Sequence, residues 1–144
     1  MKRAALIGVA LAIAAQPALA GLEVRALQRK HVDGSGCSLN LVGQPKATAF
    51  EWEYVKRAWV NRGGSEDLAL TFIGQRGACD SFRAGDVCTA RFAADGFRVE
   101  VRQTVTSVCP PGDEQCEAWG VAAILTIRKG HDKAVTRLEG VCGS

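Results

Sequence analysis

The sequence predicts an all-β fold, a small antiparallel β-sandwich or barrel of about eight strands stabilised by disulfides. Three observations carry this expectation. Apolar residues alternate at a period of two in several separate segments, glycine-containing turn signals divide those segments, and six cysteines are available to cross-link them. The alternation of strand and helix patterns that a parallel α/β sheet requires is absent.

Residues 1–20 read as a cleaved signal peptide. Lys2 and Arg3 precede an apolar run from Ala4 to Ala15, and Ala18-Leu19-Ala20 has the small-x-small form that signal peptidase cuts after. The run is too short to span a bilayer comfortably and no second one follows, so no membrane span is expected. The Ala-rich composition is that of a bacterial signal. Residues 21–144 then form a single secreted β domain, periplasmic or extracellular. Removing Lys2 and Arg3 from the 18 basic residues leaves sixteen against 15 acidic ones, a net charge of +1. That balance lacks the footprint of a dedicated nucleic-acid binder.

Within the domain, LEVRAL (22–27) predicts a first strand and Asp33-Gly34-Ser35-Gly36 a turn. CSLNLV (37–42) alternates again. Segment 49–60, AFEWEYVKRAWV, alternates Phe50, Trp52 and Tyr54 with Glu51 and Glu53, predicting a strand with an aromatic core face. A rival reading places a single helix at 46–62, with Phe50, Tyr54 and Ala58 at helical spacing and Gly63-Gly64 as the stop. The strand is preferred, because β-branched and aromatic residues dominate and Trp52 would interrupt the polar helical face. DLALTFI (67–73) predicts a strand apolar on both faces and therefore central. Asp95-Gly96 between VCTARFAA and FRVEVRQTVT predicts a tight hairpin, and the turn 129–132 joins a final pair of strands.

The cysteines Cys37, Cys79, Cys88, Cys109, Cys116 and Cys142 all lie in the exported part, and their even number reads as three disulfides. The sequence does not choose among the possible pairings. The expected set is two local loops, Cys79 to Cys88 and Cys109 to Cys116, with Cys37 to Cys142 tying the ends of the domain.

Catalytic candidates are few. His31 and His131 could act as general base and general acid of a small secreted hydrolase of the nuclease type. The six cysteines and the setting of His31 resemble the pancreatic-type ribonucleases. The cysteine spacing differs, however, and no segment matches that family's catalytic lysine, so the resemblance implies no activity. Both histidines sit in Asp- and Lys-containing turns, which an exposed polar turn also explains. Glu51 and Glu53 would stand about 7 Å apart on one strand face, which reads as a solvated surface. No GxSxG setting, phosphate-cradling glycine loop or closed metal-ligand set occurs, and no cofactor is expected.

Recognition is the remaining possibility. Cys109-Pro110-Pro111-Gly112-Asp113-Glu114-Gln115-Cys116 is an acidic loop that a local disulfide would hold rigid, and a rigid loop loses little entropy on docking. Pro110, Pro111, Asp113 and Glu114 are therefore binding candidates, joined by Trp59 and Trp119, which lie near segment ends. The expectation is an exported non-catalytic binding module, an inhibitor or immunity-type protein acting on a protein or cell-envelope component. The alternatives are the two-histidine hydrolase and a structural or adhesin subunit assembling through an exposed sheet edge.

Overall fold

The computed structural model describes residues 21–80 and 83–143; the expected signal peptide, 1–20, lies outside the described residues. Eight antiparallel strands form a closed barrel: β1 (Gly36–Leu41), β2 (Thr48–Glu53), β3 (Arg57–Val60), β4 (Leu68–Gly77), β5 (Val87–Ala94), β6 (Phe97–Ser107), β7 (Ala118–Lys129) and β8 (Asp132–Gly143). Each strand pairs with its neighbour in chain order, and β8 closes onto β1 through six residue pairs, Gly36↔Gly143 to Leu41↔Leu138. Every strand is thus paired on both sides. The exposed sheet edge that a strand-exchanging subunit would offer is not present among the described strands.

The period-two pattern does what the pleat demands. On β6 Phe97, Val99, Val101, Gln103 and Val105 point inward while Arg98 and Arg102 face solvent; on β7 Val121, Ala123, Leu125 and Ile127 point inward. Phe92 of β5 lies at the centre of the packed interior. Its ring meets Phe50, Trp52 and Phe72 edge-on at centroid distances of 5.7, 5.6 and 5.9 Å. Two positions depend on glycine. At the β5–β6 turn Asp95 and Gly96 both adopt positive φ, 46° and 79°, as a two-residue hairpin of this twist requires. On β8 a Cβ at Gly140 would stand 2.1 Å from the Ser38 carbonyl oxygen, so only glycine lets β8 close on β1.

Segment 49–60 differs from the expectation of one strand. Phe50 and Trp52 do face the core, but the chain turns at Tyr54, whose φ is 37°, and Lys56 N–H bonds to the Glu53 carbonyl. The result is the hairpin β2–β3, not a continuous strand and not a helix. LEVRAL also forms no strand: its ladder is one bridge, Arg25↔Asn61. Residues 21–35 instead run as a strap along β2 and β3, where Glu51 of β2 and Asp67 of the β3–β4 connection accept its amides and Val24 packs into the core. Glu51 accepts from His31 N–H and Val32 N–H and is 2% exposed, where a solvated carboxylate was expected. Ala69 and Ile73 of β4, expected to be covered, face solvent on the outer wall of the closed ring.

The three disulfides are Cys37–Cys142, Cys79–Cys88 and Cys109–Cys116, the set expected from spacing. All lie toward one end of the barrel, with the β2–β3, β4–β5 and β6–β7 connections. Such a covalent framework is compatible with an oxidising, exported environment.

Candidate functional site

The disulfide end of the barrel is open. A cavity of about 630 Å³ occupies this mouth, within the range typical of small-molecule sites. The β-ladder registers explain its walls. Trp52 pairs with Cys37, Cys37 with Cys142, and Cys142 with Trp119, so the disulfide that closes the barrel is flanked by two tryptophans. Opposite them, Cys88 of β5 pairs with Gln103 of β6. The rims come from the connections: Tyr54 and Val55 from the β2–β3 turn, Cys79 and Asp80 from one stapled loop, and Val108, Cys109, Cys116 and Glu117 from the other.

Gln103 is the unusual residue. It is 8% exposed, lines the cavity, and its side-chain Oε1 is the one buried side-chain N or O atom among the described residues without a hydrogen-bond partner. A buried amide oxygen left unmatched costs about 1–3 kcal/mol, which a guest carrying a donor would recover.

Tyr54 is the second departure from local preference. Its left-handed φ of 37° is a position that glycine or asparagine ordinarily takes. The side chain explains the choice: Tyr54 O–H donates to the Gly143 carbonyl, the Trp52 indole N–H donates to the Tyr54 carbonyl, and the two rings meet edge-on at 6.0 Å. The strained turn therefore fixes the Trp52 ring and ties it to the end of β8. Burial raises the Tyr54 hydroxyl above its ordinary pKa, leaving a neutral donor to the Gly143 carbonyl at neutral pH.

Among the described residues the lining contains three acids, Asp80, Asp86 and Glu117, and no lysine, arginine or histidine. Asp86 also accepts the Arg83 amide, which shapes the β4–β5 loop.

The residues singled out from sequence scatter over the molecule. Trp119 lines the mouth. Pro110, Pro111, Asp113 and Glu114 are exposed on the loop stapled by Cys109–Cys116, beside the mouth and outside the cavity lining. Two successive turns shape that loop, Asp113 N–H to the Pro110 carbonyl and Cys116 N–H to the Asp113 carbonyl. Trp59 does not join them, and it is not exposed. It is 8% exposed on the outer wall, stacked on His31 at 5.0 Å with the Arg57 guanidinium also 5.0 Å from its ring.

His31 and His131 are not brought together. His31 belongs to the strap, with its side chain turned under it and 5% exposed, and its Nε2 stands 2.7 Å from Asp67 Oδ2. His131 sits exposed on the β7–β8 turn, at the end of the barrel opposite the mouth. Burial pushes the Asp67 carboxyl up, but hydrogen bonds from Gln28 N–H, His31, Asn61 and Arg29 N–H outweigh it and hold the group below the ordinary aspartate value. The cluster is a clasp for the strap. Among the described residues no three His, Cys, Asp or Glu side chains are grouped so that they could hold a metal ion, and no helix is long and apolar enough to cross a membrane.

No family model matches the chain, and neither a curated protein nor a solved structure matches it.

The register that aligns Trp52, the seam disulfide and Trp119 was not legible from sequence. Gln103 sits in an apolar-alternating strand at a position where the pattern asks for an apolar side chain. That polar interruption of FRVEVRQTVT was the available signal.

Proposed function

We propose that the protein is a non-catalytic binding module of an exported compartment and that it takes its guest, an envelope component or extracellular compound, into the mouth of the barrel. The observation that carries this reading is the unpaired Gln103 Oε1 beside an open cavity whose walls include Trp52, Tyr54 and Trp119. Largely apolar walls with a few placed polar groups are the usual design of a ligand site, and an eight-stranded barrel is wide enough to hold one small ligand. The three disulfides support it further, since a rim held covalently loses little freedom on binding.

The test uses N-phenyl-1-naphthylamine, which is uncharged at neutral pH and brightens on leaving water. The purified oxidised protein should enhance its fluorescence, and Ala118→Trp, a substitution of an exposed cavity-lining residue, should remove most of the enhancement. Equal enhancement by the variant, or none by either protein, overturns the reading.

A second reading is favoured by the exposure of Pro110, Pro111, Asp113 and Glu114 beside the mouth: capture of a protein partner by this stapled loop. Replacing 110–115 by glycine and serine should then abolish pull-down of a stoichiometric partner from envelope extract while the domain stays folded.

A further inference from the structure

We infer that the guest is a small organic cation, a protonated amine carried on a flat apolar body. This deepens the mouth reading above and rests on it. Two independent observations point to the same chemistry. Asp80 and Glu117 put two acidic residues on the cavity lining, beside Asp86, whose carboxylate also accepts the Arg83 amide, and there is no basic residue among the described lining residues. Low-dielectric walls bearing one sign of charge concentrate ions of the other sign. Separately, Gln103 Oε1 is a buried acceptor without a partner, and an ammonium N–H is the strongest donor an organic guest brings to a neutral acceptor.

The aromatic walls fit the same guest. Trp52 and Trp119 flank the Cys37–Cys142 bridge, and indole faces attract cations as well as flat apolar groups. An anion would meet Asp80 and Glu117 with no basic side chain beside them among the described lining residues. A neutral alcohol could satisfy Gln103 but would leave the acidic field unused. The cavity volume of about 630 Å³ suits a whole small molecule rather than a single partner side chain, which assigns the site to a free amine.

The experiment is a calorimetric titration of the oxidised protein with four compounds that share one phenylethyl body: 2-phenylethylamine, 2-phenylethanol, phenylacetate and the trimethylammonium analogue of the amine. The amine should bind about tenfold more tightly than the alcohol, with phenylacetate weaker still. It should also exceed the trimethylammonium compound, which keeps the charge and lacks the N–H. Gln103→Met should erase the difference between amine and trimethylammonium while keeping the preference for cation over alcohol. Glu117→Gln should do the reverse, reducing the cation preference and sparing the N–H preference.

Equal binding of the alcohol and the amine, or tighter binding of phenylacetate, overturns the inference. So does tighter binding of a lysine-rich peptide than of the amine, which would assign the site to a protein partner. If the neutral naphthylamine still enters the mouth and Ala118→Trp still blocks it, only the cation assignment fails. If neither the amine nor the naphthylamine binds, the mouth reading fails with it.

Discussion

Replacing Asp67 by alanine should release the strap while leaving the barrel closed. The carboxylate accepts from Gln28 N–H at 2.9 and 3.0 Å, Arg29 N–H at 3.3 Å, His31 Nε2 at 2.7 Å and Asn61 Nδ2 at 3.2 Å. The two backbone donors are exposed and recover water, so their loss costs little. His31 and Asn61 are enclosed and do not, and bonds to an ionised acceptor contribute about 1.5–3 kcal/mol each, so the low end of the range is a loss of roughly 3 kcal/mol.

Because residues 28–31 meet the wall through this carboxylate, with Arg25, Leu27 and Val32 held separately, the loss should appear as local opening of that stretch. Amides of Gln28, Arg29 and His31 should exchange with solvent roughly a hundredfold faster, as about 1.4 kcal/mol corresponds to each tenfold, while Val99 and Leu125 amides keep their protection. Native-state hydrogen exchange reads both classes at once. Unchanged strap amides would refute the clasp, and equal acceleration at Val99 would show that strap and barrel open as one unit. Acid should reproduce the effect. The Asp67 carboxyl is held below its ordinary value of 3.8, so its contribution is complete above that value and is lost as pH falls through the lower folded value. Asp67→Asn should remove that acid step from the exchange profile.

Three further outcomes follow from the packing. Gln103→Met should stabilise the ligand-free protein by about 1–2 kcal/mol, a rise of several degrees in Tm, because it removes an unmatched buried acceptor at similar volume; calorimetry showing a lower Tm would contradict the unpaired state. Gly140→Ala should cost about 3 kcal/mol or prevent folding, since its Cβ would press on the Ser38 carbonyl, and a urea midpoint equal to wild type would contradict that contact. Replacing both Cys37 and Cys142 by serine should remove about 4–5 kcal/mol, more than the loss of either short-loop bridge, because this bond closes a separation of 105 residues against 9 and 7.

Much of the fold was legible because strands on a half-buried surface announce themselves. Phe97, Val99 and Val101 against Arg98, Glu100 and Arg102, with Asp95-Gly96 before them, encode face and turn within eight neighbouring residues. The errors came where a second layer altered the pattern. Glu51 reads as a surface acid until a strap from twenty residues earlier brings two amides to it, and Trp59 reads as exposed until His31 stacks on it. Tyr54 reads as the next core aromatic until its backbone turns. The mouth was legible only in fragments, since Trp52, Gln103 and Trp119 become neighbours through the ladder register and the ring closure, which are long-range properties that no local window contains.

Ring closure has a topological consequence. Seven of the eight ladders join strands consecutive in sequence, and only β1–β8 joins the two ends of the barrel. Once Cys37 is bonded to Cys142, that exception disappears: the seam is held by a covalent link as every hairpin is, and the strand order becomes cyclic. In the reduced chain, seam pairing must await closure of a loop of about a hundred residues, the slow non-local step of an otherwise local assembly. In the oxidised chain there is no last strand. New chain ends opened at the β5–β6 or β7–β8 turn should then leave the same barrel, provided the bridge is made.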